Sequence, residues 1–118
     1  MKPPLLSVVI PTWNRARLVR DAIRSALVQR EGEVEVIVVD DASTDATAEL
    51  LAREFADLVR VLRLEHRRGP GGARNAGARL ARGEFVEFLD SDDVWLPGKL
   101  YAELGVLARF PFAEVVIS

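Results

Sequence analysis

Cysteine is absent from this 118-residue chain, and histidine occurs once. The first absence excludes disulfides, zinc–thiolate sites and thiol nucleophiles. The second leaves no histidine pair at metal-ligand spacing; His66 stands beside Arg67 and Arg68 and reads as a solvated loop residue. No apolar run approaches the ~20 residues of a membrane helix, so no membrane span is expected. Met1-Lys2-Pro3-Pro4 runs straight into a short apolar stretch and lacks the apolar length of a signal peptide. A large excess of charge is also missing. A net charge of −2 gives no support for a nucleic-acid groove, and no nucleic-acid partner is expected. What is present, 49% hydrophobic and 29% charged residues, suits one globular domain with a buried core.

Strand and helix patterns alternate along the whole chain. Residues 5–10 are apolar and bounded by Pro11, which predicts a first strand. Leu18, Val19, Ala22, Ile23, Ala26 and Leu27 recur at one-face helical spacing. Residues 34–39 form a valine-rich second strand. Asp45 is the expected N-cap of a helix whose Leu50, Leu51, Phe55 and Leu58 share a face. Residues 59–64 give a third strand. Ala73, Ala76, Gly77, Leu80 and Ala81 mark one face of a third helix, and their small size predicts close approach to the sheet. Residues 85–89 give a fourth strand. Pro97 fits the first turn of a helix carrying Leu100, Leu104 and Leu107, and residues 114–118 begin a fifth strand. Repeated βα units with near-continuous apolar strands imply a Rossmann-like α/β fold: a mostly parallel sheet with helices on both faces. A chain that stops inside a strand is expected to be a domain cut short at its C-terminus, with an exposed sheet edge near residues 114–118 that invites self-association.

Open α/β sheets bind ligands at the carboxyl ends of their strands. The first strand here ends in Pro11-Thr12-Trp13-Asn14, and the second in Asp40-Asp41-Ala42-Ser43-Thr44-Asp45. The third is followed by the basic, glycine-rich Arg67-Arg68-Gly69-Pro70-Gly71-Gly72 loop with Arg74 and Asn75, and the fourth by Asp90-Ser91-Asp92-Asp93. With strand order 3-2-1-4, Asp41, Thr12 and Asp92 line one crevice. Crowded carboxylates raise one another's pKa unless a cation or donors compensate, and oxygen-rich clusters suit Mg²⁺ or Mn²⁺. Each feature also has a structural reading: Asp40 and Asp41 as helix caps, Trp13 as an edge of the core, the glycine loop as a turn. Together they describe a nucleotide-diphosphate pocket better than independent turns. Gly72 and Gly77 have P-loop spacing, but Ala78-Arg79 follows where Lys-Ser/Thr is required, and no G-x-G-x-x-G follows the first strand.

Four segments then carry a resemblance. Ser7-Val8-Val9-Ile10-Pro11-Thr12-Trp13-Asn14-Arg15, Val38-Val39-Asp40-Asp41-Ala42-Ser43-Thr44-Asp45, Gly71-Gly72-Ala73-Arg74-Asn75-Ala76-Gly77 and Gly83-Glu84-Phe85-Val86-Glu87-Phe88-Leu89-Asp90-Ser91-Asp92-Asp93 resemble, in this order, the family 2 glycosyltransferases of the A-type glycosyltransferase fold. Two positions depart: Trp13 stands where tyrosine or phenylalanine is commoner, and Ala42 where glycine or asparagine is common. The resemblance implies transfer of a sugar from a nucleotide-diphosphate donor, a UDP-sugar, to an acceptor hydroxyl on a sugar, lipid or protein, with inversion, in polysaccharide or cell-envelope synthesis. It implies Mg²⁺ or Mn²⁺ on Asp92 and Asp90. It also implies nucleotide contacts from Pro11, Thr12, Trp13, Asn14, Asp41, Arg74, Asp90 and Ser91, with Asp41 accepting from the base and Trp13 stacking on it. Residues 1–118 are then the nucleotide-sugar-binding part of the domain, the catalytic base lies beyond Ser118, and the chain binds donor without transfer. The expected location is the cytoplasm or the cytoplasmic face of the membrane. The rival readings are a non-catalytic nucleotide-binding module and a metal-dependent phosphotransferase.

Overall fold

A computed structural model describes residues 4–29 and 33–96. Seven elements follow in order: β1 (Leu6–Thr12), α1 (Ala16–Leu27), β2 (Val34–Asp40), α2 (Thr47–Glu54), β3 (Arg60–Arg63), α3 (Gly69–Leu80) and β4 (Phe85–Phe88). The strands form one parallel sheet in the order β3-β2-β1-β4, as the sequence pattern predicts. Both faces are covered, which explains why the central strands read as unbroken apolar runs rather than alternating ones. On one face Leu6, Val8, Ile10, Val36 and Val38 pack against Val19 and Ile23 of α1, Leu50 and Leu51 of α2, and Phe55 just beyond it. On the other, Val9, Ile37 and Val39 meet Ala73 and Ala76 of α3. The small face of α3 does bring the helix close. A β-carbon on Gly77 would collide with Val9 and come within 2.9 Å of Val39 Cγ2.

Element boundaries move in ways that matter for the site. β1 continues past Ile10 through Pro11 to Thr12, where it pairs with Asp40 of β2. On its other side the pairing with β4 stops at Val9 opposite Phe88. Pro11 has no N–H to give a ladder, so it sits where β1 needs a partner on one side only. β1 and β4 part there and leave a gap at the carboxyl end of the sheet. The Gly69-Pro70-Gly71-Gly72 segment, expected as a loop, is the first turn of α3, with Pro70 where a missing N–H costs nothing. Ala81, expected on that helix, follows its last residue. Asp45, expected as the N-cap of α2, stands one residue before that position, which Ala46 occupies. Its carboxylate still accepts from the amide and hydroxyl of Thr47 at the first turn of α2.

Beyond β4 the chain folds back onto α1. Trp95 is buried in the first core, its amide donates to Ser25 Oγ at 3.0 Å, and Gln29 Nε2 donates to the Leu96 carbonyl at 3.0 Å. The segment carrying Asp90 to Asp93 is thus fixed at both ends. The helix expected after Pro97 and the fifth strand with its exposed edge lie outside the described residues. No helix among the described residues is long and apolar enough to cross a membrane.

Candidate functional site

The gap between β1 and β4 opens into a cleft of about 270 Å³. Pro11, Thr12, Trp13 and Arg15 line it from β1 and the loop beyond, and Asp41 from the end of β2. Arg67, Pro70, Ala73 and Arg74 come from α3 and its approach, and Asp90, Ser91 and Asp92 from the turn after β4. Thr12 is buried, and its hydroxyl has no hydrogen-bond partner within the described protein.

Asp41 is 3% exposed yet borders the cleft. Its amide donates to the Thr12 carbonyl at 2.9 Å, which ties the ends of β1 and β2 together. Its Oδ1 accepts from the Arg68 amide at 2.7 Å, and its Oδ2 from the Gly69 amide at 2.9 Å. The carboxylate therefore caps the N-terminus of α3 across the chain, where the helix dipole favours negative charge. Each oxygen keeps a second lone pair for a further donor. Asp40 has a different role. It is fully buried and accepts from the Ser43 amide at 3.1 Å and from Arg63 Nη1 at 2.8 Å.

The acidic segment is a tight turn closed by the Asp93 amide donating to the Asp90 carbonyl at 3.0 Å. It brings one carboxylate oxygen each from Asp90, Asp92 and Asp93 within 4.8 Å of one another, all exposed. Two arginines from other elements answer this charge. Arg74 Nη2 donates to Asp90 Oδ1 at 3.0 Å, and Arg15 Nη1 lies 3.4 Å from Asp92 Oδ2. An exposed, all-oxygen set of carboxylates beside free cleft volume fits a hard divalent cation such as Mg²⁺ or Mn²⁺. On the opposite wall the Arg67 guanidinium lies 3.6 Å from the centroid of the Trp13 ring.

Seven of the eight residues expected to meet a nucleotide line this one cleft: Pro11, Thr12, Trp13, Asp41, Arg74, Asp90 and Ser91, with Asp92 beside them. Asn14 is not among the lining residues. It has φ 51°, its Oδ1 accepts from the Thr44 amide at 2.7 Å, and its own amide donates to Ser43 Oγ at 2.9 Å. Asn14 therefore holds the loop after β1 against the loop after β2. Its tolerance of left-handed backbone explains why asparagine suits the position. Arg15 and Arg67 are lining residues that the sequence reading did not single out. Only their places, at the end of the first resembling segment and at the head of the basic loop, hinted at them.

The parallel sheet in the order β3-β2-β1-β4, with helices on both faces, is the fold of the A-type glycosyltransferases. The chain belongs to glycosyl transferase family 2, whose profile matches residues 7–117. It is 48% identical over 99 residues to the succinoglycan biosynthesis protein ExoO of Rhizobium meliloti (strain 1021), a match covering 84% of this chain and 28% of that protein. The crystal structure of S. aureus TarS 1-349 in complex with UDP superimposes with a TM-score of 0.81 at 35% identity, covering 88% of this chain and 32% of that one. The mannosyltransferase PcManGT of Pyrobaculum calidifontis, in complex with GDP-Man and Mn²⁺, gives 0.80 at 32% identity, covering 92% and 33%. The chain thus spans about a third of the length of these relatives.

Proposed function

We propose that this chain forms the donor-binding part of an inverting, divalent-metal-dependent glycosyltransferase that takes a UDP-sugar and glycosylates an acceptor hydroxyl of a sugar, lipid or protein. The observation that carries this reading is the convergence, in one cleft, of an aromatic ring, a buried carboxylate, three arginines and a carboxylate turn. Trp13 offers a flat face for the base. The second lone pairs of Asp41 suit a base that presents an N–H, as uracil does. Arg74 and Arg15, which now balance Asp90 and Asp92, supply cationic donors for a diphosphate. Asp90 and Asp92 would hold the Mg²⁺ or Mn²⁺, which when bound supplies Lewis-acid stabilisation of the departing nucleoside diphosphate. The Mn²⁺ in PcManGT and the UDP in TarS support the same assignment.

The general base that deprotonates the acceptor is assigned to sequence outside these 118 residues, as is the acceptor surface. The share of about a third that the chain makes of its relatives supports this division. Loss of a general base alone removes about 10²–10⁴-fold in rate. The expected setting is the cytoplasm or the cytoplasmic face of the membrane, because a charged nucleotide donor does not cross a bilayer unaided.

Calorimetry with UDP and Mn²⁺ tests the reading. Binding should weaken greatly in chelator, and Asp92→Asn should lose more of the metal-dependent affinity than Asp93→Asn. Equal affinity with and without metal overturns the part assigned to the cation in holding the nucleotide. Product formation from nucleotide sugars by the 118-residue chain would overturn the division between donor and acceptor parts.

A further inference from the structure

We propose that Arg67 is a guanidinium cover on the stacking face of Trp13, which an incoming nucleobase must displace, so that Arg67 sets how tightly the cleft holds a base. The inference rests on the reading of the cleft as a nucleotide site. The Arg67 guanidinium carbon lies 3.6 Å from the centroid of the Trp13 ring, and its Nε lies 3.9 Å from Asp41 Oδ2. A planar group at that height fills the layer that a stacked base would take. One face of an indole holds one planar partner at a time, so base and guanidinium compete for it. The same cation also sits beside the carboxylate assigned to recognise the base.

The geometry also suits easy release. The backbone at Arg68 and Gly69 is pinned by the Asp41 carboxylate. The Arg67 side chain itself is 51% exposed. It can swing into solvent without disturbing the cap of α3. Trp13 is 37% exposed even beneath Arg67, and without that side chain its ring would present more apolar surface to water. The cover therefore acts as a weak internal competitor. An exposed cation–π contact corresponds to about a two- to five-fold change in an equilibrium constant.

The probe is uridine, which carries no phosphate and so separates competition at the ring from attraction of an anion. Binding is followed by the indole N–H signal of Trp13 in NMR titrations, assigned with Trp13→Phe and sensitive to millimolar affinity. Circular dichroism checks the fold of each variant. Arg67→Ala should bind uridine about two- to five-fold tighter than the parent chain, and Arg67→Lys, which keeps the charge but not the planar fork, should fall between them. The gain should be smaller for UDP, because the lost cation also attracts the diphosphate. If uridine binds Arg67→Ala more weakly, Arg67 is a second wall of the base site and the proposal fails. Equal affinities also overturn it, while the base site itself stands. If uridine moves the Trp13 signal in neither protein although UDP binds, the stacking assignment falls and the cover falls with it.

Discussion

Arg74 of α3 reaches across the mouth of the cleft to Asp90, Nη2 to Oδ1 at 3.0 Å, and so binds one wall of the site to the other. Both side chains are substantially exposed, 39% and 52%, so the pair is worth only about 0.2–1 kcal/mol. Its consequence lies in competition. A cation on Asp90 must first part it from Arg74. Arg74→Ala should therefore tighten Mn²⁺ binding in the absence of nucleotide by about 0.2–1 kcal/mol. The same change should weaken UDP binding in the presence of Mn²⁺, because a donor to the diphosphate is gone. Electron paramagnetic titration of Mn²⁺ and calorimetry of UDP give the two readings. Losses in both would mean that Arg74 orders the acidic turn rather than competing for it.

Asp41 caps α3, and one substitution tests both that cap and the proposed contact with the base. Removing its carboxylate leaves the amides of Arg68 and Gly69 without their acceptor at the start of α3. Asp41→Ala should lower the unfolding free energy by about 1–3 kcal/mol. It should also abolish any preference for uracil over adenine nucleotides. Denaturant titration reads the first effect, and competition among nucleotides, at a temperature where the variant is folded, reads the second. A stable variant would contradict the cap. Retained base preference would leave Asp41 as a cap alone.

Ala42 has φ 62° in the turn between Asp41 and Ser43. Left-handed backbone costs an ordinary L-residue roughly 1–2 kcal/mol, and glycine escapes the cost at the expense of a more mobile unfolded chain. Ala42→Gly is expected to stabilise the protein by about 0.5–1 kcal/mol. Thermal and urea unfolding measure it directly; a variant less stable than the parent would show the strain to be relieved in another way.

The sheet was legible in the sequence because its strands are buried on both faces, which leaves a plain apolar signature in residues such as Val36 to Val39. The cleft was legible because polar residues at strand ends must converge once strand order is known. Local pattern stops short of tertiary contact, however. Gly69-Pro70-Gly71-Gly72 reads as a turn by composition, yet Asp41 captures the two amides at its start and the segment winds into α3. Asn14 belongs to a binding motif by position but spends its amide on Thr44. Arg67 is one more charge in a basic run until Trp13 is found beneath it. Trp95 gave no periodic signal, being a single anchor on α1 and part of no repeat.

At the pole opposite the cleft, Glu35 ties three elements together, and it makes stability depend on acid. Its Oε2 accepts from Ser7 Oγ of β1 at 2.6 Å and from the Arg82 amide at 2.6 Å. Its Oε1 accepts from Arg60 Nη1 of β3 at 3.1 Å and from the Arg82 guanidinium at 3.2 Å. Burial alone would raise its pKa, but these donors together outweigh burial and hold it below the ordinary 4.5. The folded state therefore binds its proton later than the unfolded chain as pH falls. The stabilisation is complete above the unfolded value near 4.5 and is lost as pH drops through the lower folded value. Glu35→Gln removes the charge that the arginines meet and should cost about 1–3 kcal/mol at neutral pH. The difference between parent and variant should shrink below about pH 4.5, where the parent loses the same charge. Urea midpoints from pH 7 to pH 3 give this difference directly. A gap that stays constant or widens in acid would mean that Glu35 contributes through shape rather than charge. UDP affinity should not change, since no residue of this network lines the cleft.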